Sequence, residues 1–366
     1  MKPLYKILII AVIGVLVILG IYLGSRALTS GPEETGGAPP PTGGTPAPAA
    51  QSPIKRFSDG VVFDFWANPA TGEVFYLAPD GRVFNAKEGP DLETSKQTIN
   101  ALNFIEVGPG NRKILAAFGD PRAPQWGIFD AVDGAWRPLP SEILRAAWGE
   151  DDEELIVIVK SGNDLNFAEA DLTRTPPSYR TLIRDFRLKD VEFVRFPDDQ
   201  LVISEFPSAS YAASLWQVDL GNSNVSLLAA PQRGLHLYRP AAGSTAFLWG
   251  SESGLLTLHD NLQMEPAPFD TLPQKCAADS SRIYCFVPQN IPSDTVLPDD
   301  YLMRRFFSID DLFAFGTGIA SEETSGKLLE SNVGSVPAID AKNPRVSGDK
   351  LYFINRYDGY LYEFAL

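Results

Sequence analysis

From Ile54 onward, apolar and aromatic residues come in short runs divided by tight turns rich in Gly, Asp, Asn and Pro. Runs of about four to eight such residues read as strands, and no helical periodicity longer than about ten residues competes with them. One unit recurs: an apolar strand, a polar turn, a second apolar strand, then a third and a fourth. It opens as VVFDFW-ANPATG-EVFYLA from Val61, INALNFIEV-GPGNR-KILAAF from Ile99, LRAAW-GEDDE-ELIVIV from Leu144 and VEFVRF-PDD-QLVISEF from Val191. It returns as LHLYRP-AAGST-AFLWG from Leu235, KCA-ADSS-RIYCFV from Lys275 and NPRV-SGD-KLYFIN from Asn343.

Seven units over residues 54–366 give about 45 residues each, the length of a four-stranded propeller blade. Such blades bury both faces only against their neighbours, so the pattern predicts an all-β, seven-bladed β-propeller. Six or eight blades remain open, because the unit from 279 to 347 is long enough to hide a boundary. The ends are complementary. The last unit stops one strand short at Tyr360–Phe364, and Ile54–Phe57 lies unclaimed before the first. Pairing the two closes the ring and removes two open sheet edges.

The only two cysteines flank one hairpin. A turn between Ser280 and Ser281 sets Cys276 directly opposite Cys285 as a non-hydrogen-bonded pair, the closer of the two alternating spacings, whereas a four-residue turn would reverse the alternation. A Cys276–Cys285 disulfide is the expectation.

Ahead of the repeats, Ile7–Leu23 is a run of 17 residues without a charge. At 1.5 Å per residue it covers roughly 25 Å of a hydrocarbon core about 30 Å thick. Lys2 and Lys6 precede it and Glu33 and Glu34 follow Arg26, which predicts a single-pass cell-membrane protein with a cytoplasmic N-terminus and an extracytoplasmic propeller. The rival reading is a signal peptide cleaved near Ser25-Arg26-Ala27; either one exports the remainder. Residues 29–53 hold seven prolines and five glycines and no large apolar residue, the composition of a tether. The expected organisation is an anchor over 1–28, a linker over 29–53 and the propeller over 54–366.

Trp148-Gly-Glu-Asp, Phe196-Pro-Asp-Asp and Val346-Ser-Gly-Asp, with the Asp-Gly hairpins at Asp80 and Asp358, resemble the blade turns of tricorn-like and WD40-like β-propellers. Cys285-Phe-Val-Pro-Gln-Asn-Ile-Pro and Leu297-Pro-Asp-Asp-Tyr301 are similar to exported, membrane-anchored propellers of uncultivated bacteria. No WD dipeptide is present.

The net charge of -15 makes a nucleic-acid partner a poor fit, and two histidines with two cysteines are too few for a zinc cluster, haem or iron–sulfur site. No cofactor or metal is expected. Gly250-Ser-Glu-Ser-Gly254 puts Glu252 where a nucleophile elbow needs serine. His236 and His259 read as ordinary strand and turn residues, and Glu150–Glu154 as a solvated hairpin. Two function classes follow. The first is a protein- or ligand-binding module that recognises an envelope protein or glycan, its contacts placed on the long insertion of the sixth unit through Tyr301, Arg304 and Arg305. The second is an envelope hydrolase or lyase with carboxylates in the propeller channel, for which Asp64, Asp190, Glu192 and Asp310 are the candidates.

Overall fold

The computed structural model describes residues 52–366 apart from 69, 96, 189, 241–244 and 317–325. The predicted span and most of the linker lie outside the described residues; among the described ones no helix is long and apolar enough to cross a membrane. Residues 54–366 form seven four-stranded antiparallel sheets, the blades of a propeller. Blades 1 to 6 occupy 64–95, 102–138, 143–183, 191–233, 236–266 and 276–329, each with its strands in chain order from the centre outward. Blade 7 takes three strands from 341–365 and its outermost from Ile54–Arg56. That strand pairs Ile54 with Phe364, Lys55 with Glu363 and Arg56 with Tyr362, the predicted closure, one residue shorter than expected.

Seven apolar clusters fill the seven gaps between adjacent blades. Trp66, Leu77, Ile114 and Phe129 join blades 1 and 2, and Phe65, Tyr76, Tyr352 and Ile354 join blade 1 to blade 7. The alternation of apolar positions in each strand thus serves two interfaces, one per face, which is why the strands look apolar on both sides. Cys276 and Cys285 are register partners with Cα atoms 4.2 Å apart, and a disulfide joins them. Their hairpin has the two-residue turn: Asp279 N–H donates to the Arg282 carbonyl at 2.9 Å, and the Asp279 carboxylate accepts from Ser281 N–H at 2.7 Å.

Antiparallel order fixes two faces. Connections from second to third strand, and crossovers to the next blade, emerge together on one face; first-to-second and third-to-fourth turns emerge on the other. The long unit is blade 6, whose insertion between Arg282–Pro288 and Asp310–Gly316 is a second-to-third connection on the crossover face. It contains one short helix, Asp299–Leu302. The first strand begins, at Ile54, and the last ends, before Leu366, on the opposite face, where Leu366 N–H meets the Asp349 carbonyl at 2.8 Å.

Candidate functional site

The innermost strand of each blade turns one hydrogen-bonding edge toward the central channel, and buried backbone groups there need partners. Side chains of other blades supply them, neighbouring in three cases and two blades away in the fourth. Glu106 Oε2 accepts from Trp148 N–H at 3.2 Å, Arg239 Nη1 donates to the Arg195 carbonyl, Lys342 Nζ to the Phe63 carbonyl at 3.3 Å, and Arg345 Nη1 to the Pro240 carbonyl. Three innermost strands are also bulged, between Leu102 and Phe104, Ile143 and Arg145, and Lys342 and Arg345. A bulge re-aims side chains locally, and two of these aim an arginine.

Charged groups in this wall feel the lost hydration. Burial pushes Glu106 up to about 8 although Trp148 N–H and Arg239 oppose it, and pushes Glu192 up to about 7 against Arg145. Burial alone lowers His236 to about 4, so its imidazole is neutral at pH 7. Of the four predicted channel carboxylates, Glu192 lies on the innermost strand of blade 4 and Asp190 just before it, 3.5 Å from Arg145 Nη2. Asp64 opens blade 1, where its Oδ2 accepts from Asn343 Nδ2 at 2.8 Å. Asp310 does not reach the channel: it begins the third strand of blade 6 and is fully buried in an ion network. Glu106 was missed, although a lone carboxylate in the apolar run Ile105-Glu-Val107 marks it in the sequence.

That ion network mounts the insertion. Lys275 Nζ contacts Asp310 Oδ2, Asp340 Oδ1 at 2.7 Å, Ser308 Oγ at 3.0 Å and the Ala341 carbonyl at 3.3 Å. Arg356 Nη1 closes on Asp340 Oδ2 at 2.9 Å, giving two cations for two buried carboxylates. Burial opposes the Lys275 charge, but Asp310, Tyr301 and Asp340 outweigh it and raise its pKa. The Arg356 guanidinium lies between two rings, 3.9 Å from Tyr301 and 4.7 Å from Phe307.

Tyr301, expected as an exposed contact residue, is therefore placed differently: it is buried, with its hydroxyl donating to the Ala341 carbonyl at 3.2 Å. Its ring is too apolar to leave in water when two cations lie beneath it. Arg304 and Arg305 stay outside, Arg305 Nη1 3.9 Å from Asp300. Residues 317–325 of the same unit lie outside the described residues. The insertion also reaches blade 4, where Asp299 Oδ1 accepts from Ala209 N–H at 2.9 Å.

Burying Tyr301 leaves its neighbours outward: Leu302 is 44% exposed, Met303 58%, Phe307 41% and Tyr357 48%. Phe307 and Tyr357 rings stand 5.8 Å apart. Val296 in the same insertion, and Val61, Leu188, Tyr211 and Val333 in other connections of that face, are exposed as well, whereas among the described residues outside the strands the opposite face shows only Val132 and Leu366 as large exposed apolar side chains.

No protein-family model matches the chain, and no curated protein matches it significantly. Solved structures do. The β-propeller domain of Cps50 (Swd1) from Myceliophteria thermophila superposes with a TM-score of 0.53 at 11% identity, covering 86% of this chain and 99% of that one. An oligogalacturonate lyase from Vibrio parahaemolyticus gives 0.52 at 11%, over 87% and 91%. The tricorn protease gives 0.51 at 9%, over 87% of this chain and 34% of that one. These are likenesses of fold, and in fold they bear out the tricorn-like and WD40-like resemblance.

Proposed function

We propose that the chain is a recognition module, carried on a membrane span at Ile7–Leu23 and a linker over 29–53, that binds an envelope protein through the crossover face of its propeller. The observation that carries this reading is the concentration of exposed apolar side chains on that face, around Leu302, Met303, Phe307 and Tyr357. Aromatic, Met and Arg side chains are the composition enriched in interface cores, and Arg304 and Arg305 add local positive charge on a protein of net charge -15. The patch is stiffly mounted by the buried ions beneath it, so little side-chain or loop entropy is lost when it is covered. Capture from solubilised envelope with the full chain, against a variant carrying Leu302→Ser, Met303→Ser and Phe307→Ser, tests the reading. A folded variant should recover at least tenfold less of the wild-type partners; equal recovery refutes it.

A second reading, an envelope hydrolase or lyase, is favoured by one observation: Glu106 and Glu192 lie in the channel wall within electrostatic reach of each other, both raised toward neutrality. The superposed lyase acts on oligogalacturonate; that likeness extends to fold only. Turnover of envelope glycan by wild type, abolished in both Glu106→Gln and Glu192→Gln, would replace the first reading with this one.

A further inference from the structure

The innermost strand of blade 7, Ala341–Ser347, holds a feature that neither reading uses. Its bulge, with Asn343 at φ 50°, turns Lys342 and Arg345 to the same side, Lys342 toward blade 1 and Arg345 between blade 1 and blade 5. Lys342 Nζ meets the Phe63 carbonyl at 3.3 Å, and the Arg345 guanidinium lies 5.6 Å from the Phe65 ring, two residues further along the facing strand. Neither cation has a carboxylate within 4 Å among the described residues, in a molecule with 46 acidic side chains to offer. Arg345 Nη1 is occupied by the Pro240 carbonyl, while its Nε is buried without a partner. The hydroxyl of Tyr238, two residues before Pro240, is likewise buried and unpartnered. Leaving such donors unsatisfied costs about 1–3 kcal/mol each, more for a charged group, unless something accepts from them.

We propose that this part of the channel binds a small monocarboxylate, held in a fork by Nε and Nη2 of Arg345, with Lys342 and the Tyr238 hydroxyl as further donors. With Nη1 engaged, the side-on edge of the guanidinium is the one left, and its two parallel N–H groups match the two oxygens of a planar carboxylate. Charge sets the class. Lys342 and Arg345 are faced by Asp64, whose two oxygens are taken by Asn343 Nδ2 and Phe65 N–H, so the buried balance is one positive charge. Arg304 adds a screened charge at the surface. A monoanion neutralises that balance, and a phosphate dianion exceeds it. The depressed pKa of Lys342 has burial as its main cause, eased by Asp64 and deepened by Arg304, Arg356 and Arg345, and it fits a cation that lacks a counterion.

The test uses the smallest carboxylate, which makes the least steric demand on the site. Saturation-transfer NMR on the formate proton, with the full chain in detergent micelles and empty micelles as blank, should give a saturable signal in the millimolar range. Acetate and D-glucuronate should displace it and glucose should not. Arg345→Gln should weaken formate at least tenfold and Tyr238→Phe several-fold. If Arg345→Gln does not fold, Arg345→Lys, which keeps the charge and loses the fork, serves the same comparison. A missing wild-type signal, formate binding unchanged in the arginine variant, or phosphate displacing formate more effectively than acetate does, each overturns the proposal. None of these outcomes depends on the crossover face, so this site and the recognition surface fail separately.

Discussion

Lys275→Met removes the cation that sits on Asp310 and leaves a carboxylate that the fold has sealed from water. Asp310 keeps one good donor, Ala341 N–H at 2.9 Å on Oδ2, while Oδ1 has none. Asp340 is better placed, because Arg356 Nη1 remains at 2.9 Å. The loss is thus one uncompensated buried charge, for which removal of a single partner typically costs about 3–5 kcal/mol. Unfolding entropy near 2.1 cal/mol/K per residue gives roughly 0.65 kcal/mol/K for a propeller of this length, so the melting temperature should fall by about 5–8 °C. The variant Lys275→Met with Asp310→Asn removes both charges and should recover a large part of that loss. Because burial raises the Asp310 carboxyl, the single variant should also regain stability as the pH is lowered and that carboxyl takes up a proton. Calorimetry or intrinsic-fluorescence melting of the four corners of the cycle measures this. A single variant within 1 °C of wild type, or a double variant less stable than the sum of the two singles, would refute the argument.

Three other outcomes follow. Deleting residues 1–56 removes the fourth strand of blade 7, including the buried Ile54, and should cost about 3–5 kcal/mol from lost apolar area and ladder bonds, read as a lower melting temperature and concentration-dependent aggregation. Alkylation without reductant should add no group to either cysteine by intact mass, and reduction should lower stability by about 2–3 kcal/mol, as for a short loop. For Glu106 the folded pKa, raised to about 8, exceeds the unfolded one, so the native carboxyl costs progressively more between those two values as pH rises; Glu106→Gln should gain melting temperature over wild type between pH 5 and pH 8, and a gap that does not widen contradicts the burial of that group.

The ring was legible because each blade repeats a local pattern, strand after strand, whose apolar faces have nowhere to go but the next blade. Closure was legible for a related reason: a missing last strand and a surplus first one are both visible in the chain. The disulfide needed only turn length and strand alternation. What escaped was set by contacts distant in sequence. Tyr301 reads as an exposed loop aromatic until Lys275 and Arg356, 26 and 55 residues away, prove to lie beneath it. Asp310 and Glu106 changed places for the same reason, since a carboxylate at a strand end and one inside a strand look alike until the neighbouring blade is known. Lys342 and Arg345 point together only because of a bulge at Asn343 that the sequence does not announce.

Hydrogen–deuterium exchange on the full chain, free and bound to its captured envelope partner, bears most directly on the claim that the crossover face is the one that recognises. The account predicts protection on binding across 290–308 and 355–360, with the turns of the opposite face, 149–153 and 197–199, unchanged. Protection confined to those opposite turns, with the insertion unaffected, would contradict it.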